Sequence, residues 1–281
     1  MRWWRTVGLV IERELVARRR ASLIVTAILV VVAVGLVVLI AAVNSGNGAP
    51  ASLQPGEADE ILGTLGVIIM FMAILMTGQV LLMGVAEEKS SRVAEVVLGA
   101  MRPRYLLLGK AISIGLIGLF EVLLTGALVL FVGGQLDTIE LPAATGGAIA
   151  IVVLWFLLGF AFYATVYAAA GSLVARHQNA ANAAGPINIV VMIGYFIGII
   201  SSGAGDNPAL KIASLTPPLA PTTMPLRMIQ GTVEVWEVAV SIGLLVLAAY
   251  GMILVAERVY SGGLLMSGKA RLREAFRNAV R

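Results

Sequence analysis

One stretch of the sequence has the spacing of a phosphate-binding loop. Gly263–Lys269 reads GLLMSGK and fits GxxxxGK, in which backbone N–H groups surround phosphates and the lysine neutralises them. That chemistry also needs a Ser or Thr directly after the lysine to bind Mg²⁺, and Ala270 stands there instead. The stretch follows an apolar run rather than a predicted strand. We therefore predict that this segment does not bind nucleotide.

Other catalytic chemistry has little support in the composition. The 281 residues include no cysteine and a single histidine, His177, which excludes thiolate chemistry and disfavours a metal centre. Charged residues make up only 13% of the chain and hydrophobic residues 59%, whereas an average soluble domain has roughly 25% charged residues. The mean hydropathy is +0.95. We predict a membrane protein that is not an enzyme and binds no cofactor or metal itself.

The sequence contains six long apolar stretches, which would position any functional polar groups. Each is long enough to be a membrane-spanning helix, which needs about 20 residues. They are Ala21–Val43, Ile61–Ala86, Tyr105–Val132, Ala148–Val174, Ala184–Ser202 and Val238–Ala256. We predict an all-α membrane protein with a six-span domain over residues 21–257 and a basic tail over residues 258–281.

Residues 1–20 are predicted to form an amphipathic helix at the membrane surface. Trp4, Val7, Ile11 and Leu15 share one helical face. Tryptophan and arginine on such a helix favour the lipid headgroup region. The alternative is a charged leader that only introduces the first span.

The distribution of basic residues predicts the orientation. With six spans, 18 of the 20 Lys and Arg residues fall on the side of the two termini, and only Lys211 and Arg227 fall on the other. Because Lys and Arg are enriched in cytoplasmic loops, we expect both termini in the cytoplasm of a bacterial-type plasma membrane.

The longest charged segment between two spans is Glu87–Lys110. Apolar and charged residues alternate at helical spacing in residues 87–102, which predicts a short amphipathic helix that docks a soluble partner. The alternative is a charged turn that only connects the spans. The charged residues of this helix are Glu87, Glu88, Lys89, Arg92, Glu95 and Arg102.

The outer segment between the last two spans is both apolar and rich in proline. Residues 207–230 contain five prolines among leucines, isoleucines and methionines. Proline leaves backbone carbonyls unpaired, which hydrocarbon does not tolerate without protein partners. We predict a re-entrant or interfacial hairpin packed on the spans; the alternative is an ordered surface loop.

Two polar residues within the predicted spans are candidates for the translocation path. Glu121 is an acidic residue deep in the third span, where a carboxylate is costly, so a substrate or ion contact in the translocation path is one reading. The other is a protonated acid bonded to a neighbouring helix. Gln79 lies late in the second span and either lines that path or joins helices.

These features together resemble the membrane subunits of ABC-2 (type V) exporters, closest to the sodium-efflux and multidrug-efflux permeases. The resemblance rests on Glu87–Arg92 with the sequence EEKSSR, on Gly109-Lys110, on the proline-rich Leu215–Ile229 and on the tail Tyr260–Arg273. It differs at Asn44–Asp59, which is short where sodium-efflux members carry a large external domain. Drug-like or lipid-like substrates therefore compete with an ion.

The resemblance implies the roles of three segments and the partner subunits of the transporter. Residues 1–20 correspond to an elbow helix, residues 87–102 to a coupling helix, and residues 207–230 to re-entrant half-helices. The charged residues of the coupling helix would contact an ATPase. Two separate ATPase subunits, which bind ATP and Mg²⁺, would drive a dimer of permeases. We expect no nucleic-acid partner.

Two other classes of function fit the hydropathy. A secondary transporter or channel needs no ATPase, but it is favoured by inverted repeats or several intramembrane charges, and the sequence shows neither. A membrane scaffold that transports nothing is the second alternative.

The predicted orientation can be tested with introduced cysteines, because the chain has none of its own. Cysteines replacing Ser52 or Gly205 should react with a membrane-impermeant thiol reagent added to intact cells, and cysteines replacing Ser90 or Ser267 should not. Labelling of Ser90→Cys from outside would contradict the orientation.

Overall fold

The fold is a bundle of helices. The computed structural model describes residues 3–46, 55–90, 103–135, 145–174, 180–200 and 207–264. Every regular element within these ranges is an α-helix. They are α1 (Trp3–Gly46), α2 (Pro55–Ser90), α3 (Pro103–Gln135), α4 (Thr145–Leu173), α5 (Ala180–Ile200), α6 (Pro208–Leu215), α7 (Ala220–Ile229) and α8 (Val235–Leu264).

Five of the helices contain stretches long and apolar enough to cross a membrane. They are Thr64–Glu88, Tyr105–Val132, Gly147–Leu173, Ala180–Ile200 and Val235–Ala256. These confirm the last five predicted spans to within a few residues. Within α1, the apolar stretch among the described residues is the shorter Leu23–Leu39. The all-helical membrane fold is thus confirmed, while six crossings remain a prediction.

The N-terminal amphipathic stretch and the first apolar stretch form one helix. α1 runs for 44 residues without interruption from Trp3 to Gly46. The prediction of a separate surface helix over residues 1–20 therefore differs from the structure. The reason is local, because the sequence has no glycine or proline between Gly8 and Gly35 to end the helix.

The centre of the bundle is α2, which packs against α3, α4, α5 and α7. Its Met70, Ile74 and Leu81 are fully buried. Glycines allow the closest approaches between α2 and α4: a Cβ built on Gly171 would lie 2.6 Å from the carbonyl oxygen of Leu82. By contrast, α8 packs mainly on α4 and leaves large apolar side chains such as Leu247 and Tyr250 exposed. Such faces need lipid or another protein.

The proline-rich outer segment forms a helical hairpin rather than a loose loop. Asn207 caps α6 through its side-chain oxygen, which accepts a hydrogen bond from the N–H of Ala209 at 2.9 Å. A turn over Thr216–Leu219 leads into α7, whose residues Ala220–Arg227 are all buried. α7 packs against α2, α4, α5 and α8. That this hairpin re-enters the bilayer stays a prediction.

Protein groups satisfy the polar backbone at the turn of this hairpin. The hydroxyl of Tyr163 on α4 donates to the carbonyl oxygen of Pro218. The hydroxyls of Thr222 and Thr223 both donate to the carbonyl oxygen of Leu219 at 3.0 Å. Unpaired carbonyls of this kind cost free energy in an apolar environment, so these contacts allow the segment to be buried.

The described contacts define two ends of the bundle. At the Lys110 end, the start of α1, the end of α2 and the start of α3 meet, as the ion pairs below show. At the Arg227 end, the hairpin α6–α7 meets the start of α8. We use these two names throughout.

The packing of α5 on the hairpin predicts the effect of adding one methyl group. A Cβ at Gly194 would lie 2.5 Å from the Thr222 Oγ1, whereas one at Gly185, in the same helix, would meet nothing within 4 Å. Gly194→Ala should destabilise the fold by about 1–3 kcal/mol through overpacking. Gly185→Ala should cost less than Gly194→Ala because its Cβ would meet no other helix, although Pro186 directly after it disfavours a Cβ in helical backbone.

The measurement is unfolding of the purified variants in mixed micelles. Thr222→Ala should restore part of the stability when combined with Gly194→Ala, because it removes the clashing hydroxyl. Equal stability of Gly194→Ala and Gly185→Ala would show that α5 does not pack this closely on α7.

Candidate coupling site and polar groups of the bundle

A buried lysine joins three helices at the Lys110 end. The Lys110 side chain on α3 is only 2% exposed, and its Nζ lies 2.7 Å from Glu88 Oε1 at the end of α2. The same nitrogen donates to the carbonyl oxygen of Gly84 at 3.0 Å and lies 3.6 Å from Glu14 Oε1 on α1. We call Lys110, Glu88, Glu14 and Gly84 the Lys110 cluster.

The chemistry of this cluster suits its position. An ammonium group has three donors, and two carboxylates and a carbonyl surround it. A cation is also favourable at the C-terminal end of a helix such as α2, where the helix dipole is negative. Gly109 lets α1 lie close by, because a Cβ there would be 2.9 Å from the Cβ of Val10. The cluster therefore fixes the positions of α1, α2 and α3 relative to one another.

The residues predicted to contact an ATPase are only partly within the described structure. Glu87 is exposed, and Glu88 is half-buried in the Lys110 cluster. Lys89 belongs to the last turn of α2. Arg92, Glu95 and Arg102 lie outside the described residues.

The helix boundary also differs from the prediction. The predicted coupling helix begins at Glu87, but α2 continues through Ser90. Charged residues at the end of a span do not stop a helix, and residues 87–90 contain no glycine or proline. The rest of the predicted coupling helix, residues 91–102, lies outside the described residues.

The two predicted residues of the translocation path lie on different helices. Glu121 on α3 is 1% exposed, and the Thr26 hydroxyl on α1 donates to its Oε1 at 3.4 Å. Gln79 on α2 is half-buried. The group at hydrogen-bonding distance from Glu121 is thus a threonine of α1, which the sequence analysis did not name.

A second charged cluster lies at the Arg227 end and was missed from the sequence. The guanidinium of Arg227 on α7 donates to Glu237 Oε2 on α8 at 2.8 Å and to Ser214 Oγ on α6 at 2.6 Å. Both charged side chains are only 2% exposed. Lys211 on α6 forms a further ion pair with Glu237.

Hydrogen bonds between α8 and the hairpin extend this cluster. The Ser241 hydroxyl donates to the carbonyl oxygen of Ser214 at 2.6 Å. The Arg227 Nη2 also donates to the carbonyl oxygen of Thr232 at 3.3 Å. The cluster therefore joins α6, α7 and α8. The signal for it was present, since Lys211 and Arg227 are the two basic residues of the outer segment and Glu237 precedes the last span.

An apolar cavity opens between the spans near the Arg227 end. Its volume is about 480 Å³. It lies between the start of α2, the second half of α3 and the start of α4, with Met228 and Ile229 of α7 beside it. Leu65, Val122 and Val152 are among its lining residues. A cavity of this size and lining fits an apolar group.

These helices and their polar ends define a multi-pass membrane protein. Residues 49–256 match the sequence profile of the family described as "ABC-2 family transporter protein". This match covers most of the chain, which therefore belongs to the ABC-2 transporter permeases. Members of this family supply the membrane component of a transporter and carry no nucleotide-binding motif in this domain.

Two relatives show how far the similarity extends. The chain is 29% identical over 253 residues to the uncharacterized protein YhaP of Bacillus subtilis, a match that covers 83% of this chain and 60% of YhaP. It is 25% identical over 201 residues to the uncharacterized protein MJ1024 of Methanocaldococcus jannaschii, covering 71% of this chain and 49% of the relative. The chain therefore spans between about half and three-fifths of the length of these relatives.

The charged cluster at the Arg227 end predicts a ranking of substitutions. Glu237→Gln should be the most destabilising, because it leaves Lys211 and Arg227 without their carboxylate. Arg227→Met should follow, since removing one partner of a buried pair costs about 3–5 kcal/mol. Lys211→Met should cost less than about 1 kcal/mol, because the Lys211 side chain is 36% exposed.

Unfolding in mixed micelles measures this ranking, with Glu234→Gln as the matched control. Glu234 is exposed and lies beside the same cluster. The Arg227→Met, Glu237→Leu double variant should recover part of the loss of the single variants. If Glu237→Gln and Glu234→Gln had equal effects, the buried ion pairs would not stabilise the hairpin on α8.

Proposed function

We propose that this chain is the permease subunit of an ATP-driven exporter, with ATP hydrolysed by two separate ATPase subunits and with a second permease, identical or homologous, in the complex. The Lys110 end faces the cytoplasm in this proposal, as the distribution of basic residues predicts. Membership of the ABC-2 family supports the transport role.

The observation that carries the proposal is the ion pair between Glu88 and Lys110. Glu88 lies in the first turn of the predicted coupling helix and Lys110 follows its end, and their charged atoms are 2.7 Å apart. The two ends of the coupling segment are therefore held together on the bundle. A partner that pushes this segment therefore acts on two helix ends, of α2 and α3, that are bound to each other.

The Lys110 cluster gives such a push a defined route into the membrane. Glu88 belongs to α2, Lys110 to α3 and Glu14 to α1, so a displacement of the loop acts on all three helices. Since α2 packs against α3, α4, α5 and α7, its movement reaches most of the bundle. ATP-driven closure of the ATPase subunits would in this way alter the transport pathway.

The apolar cavity near the Arg227 end favours a drug-like or lipid-like substrate. Its lining residues named above are leucine, valine, methionine and isoleucine, which offer no ligand to a free ion. An exporter that releases such a substrate outward would present this cavity close to the outer side. We therefore place the apolar part of the substrate here.

The proposal is tested by reversing charges in the coupling segment without touching the Lys110 cluster. The variant is Glu87→Lys with Arg92→Glu, which leaves Glu88, Lys110 and Glu14 of the Lys110 cluster unchanged. A buried charged contact that docks a partner contributes about 2–5 kcal/mol, so its loss should weaken ATPase binding roughly 30-fold or more. The permease itself should still insert and fold.

The measurement uses the tagged full chain purified from its own cells. A bound protein that carries an ATPase motif should copurify with the wild type, and its ATP hydrolysis in nanodiscs should depend on the permease. The control is Glu234→Lys, a reversal at the opposite end, which should leave both properties unchanged. An ATPase that binds the double variant as well as the wild type would refute coupling through this segment; a chain that conducts ions without any ATPase would refute the exporter.

A further inference from the structure

Two buried oxygen atoms on α3 have no hydrogen-bond partner among the described residues. They are Oε2 of Glu121 and Oγ1 of Thr125. Glu121 is 1% exposed and Thr125 is 0% exposed. Residues four apart lie on the same face of a helix, one above the other. The two atoms therefore belong to one polar spot within an apolar surface.

This spot is covered by α1. Thr26 of α1 donates its hydroxyl to Glu121 Oε1 at 3.4 Å, which is long for a hydrogen bond between oxygens. Glu121 lies near the middle of the apolar stretch Tyr105–Val132. The carboxyl group thus receives one weak hydrogen bond in a place that water does not supply.

No charged group compensates for this carboxyl within the described residues. Of α1, α2, α4 and α8, which pack against α3, only α1 contributes a hydrogen-bonding contact to Glu121, through Thr26. Lys110, on the same helix, is 11 residues away, or roughly 16 Å along the axis at about 1.5 Å per residue. It is already bound to Glu88 and Glu14.

Protonation of the Glu121 carboxylate lowers the free energy of burying it more simply than binding a metal ion would. An ionised carboxylate without a partner is strongly disfavoured in an apolar interior. A proton on Oε2 removes the charge and turns an acceptor into a donor. Thr125 Oγ1 lies one helical turn away and makes no hydrogen bond to Oε2 in this arrangement, so the donated bond forms only once the carboxyl group is protonated and turns towards it. Na⁺ would need several oxygen ligands, and the helix carbonyls here are already used in the backbone.

We propose that Glu121, Thr125 and Thr26 form a proton-binding site at the interface between α1 and α3. A hydronium ion gives its proton to Oε2 of the Glu121 carboxylate, which forms the carboxylic acid and a water molecule. The O–H bond breaks again, with the proton returned to water, when water reaches the interface between α1 and α3. Proton binding at this interface goes beyond the proposed function, in which ATP alone drives export.

Infrared difference spectroscopy on the full chain in phospholipid nanodiscs tests the site. The wild type at neutral pH should show the carbonyl stretch of a protonated carboxylic acid, which shifts when H₂O is replaced by D₂O. Glu121→Gln should lose this band completely. Glu12→Gln, at an exposed position of α1, should keep it.

A second pair of variants tests the role of Thr125. Thr125→Val keeps the shape of the side chain but removes the acceptor, so the band should move to the frequency of an acid without a hydrogen bond. Thr125→Ser should return it. An unchanged frequency in Thr125→Val would show that Thr125 is not part of the site.

The wild-type spectrum alone can overturn the proposal, even if a variant fails to fold. If no protonated carboxylic acid is seen at neutral pH, Glu121 is ionised in the membrane and the proposal is wrong. A band that persists in Glu121→Gln would assign the proton to another residue and would refute the site equally.

Discussion

Backbone polar groups in a bilayer must find their partners within the protein, and the rest of this structure follows from that constraint. It accounts for the helical form of every regular element in the described ranges. It also accounts for the detail of the proline-rich hairpin, where proline removes the usual helical donors. The hydroxyl of Tyr163 supplies a bond to the carbonyl of Pro218, and the carbonyl of Leu219 accepts from both the backbone N–H groups and the hydroxyls of Thr222 and Thr223. A segment that would be an open loop in water is thereby packed into the bundle.

Buried charged side chains also find partners within the protein. The two buried ionic clusters sit at opposite ends of the bundle, where the spans end and the low dielectric of the hydrocarbon gives way. Each cluster joins three helices and holds neighbouring segments in a fixed arrangement. Removing one partner is costly because it leaves a buried charge unpaired, even where the intact pair contributes little relative to apolar side chains. Between them, Glu121 is a buried acid with no cation at contact distance among the described residues. The ends of the bundle are thus fixed by ion pairs, while the middle depends on apolar packing and one polar spot.

The sequence predicts features that depend on neighbouring residues better than features that depend on contacts between distant helices. The span Tyr105–Val132 was predicted with the boundaries that the structure has, because hydropathy is a local property. The continuity of α1 was missed because a change from charged to apolar residues looks like a boundary although nothing breaks the helix. Glu237 was missed because its partner Arg227 comes from another helix, and one sequence does not show which helices meet. For the same reason Lys110 was recognised as part of a motif but not as the buried partner of Glu88 and Glu14.

The ion pair that closes the segment between Glu88 and Lys110 also bears on how such a permease diversifies. When the two ends of a loop are fixed, its interior can change in length and charge without shifting the spans on either side. Under the proposed function, this segment can then adapt to a different ATPase while the transport pathway stays as it is, and the pathway can adapt to a new substrate without loss of the ATPase. In that proposal, the ATPase partner and the transported substrate can change independently of each other.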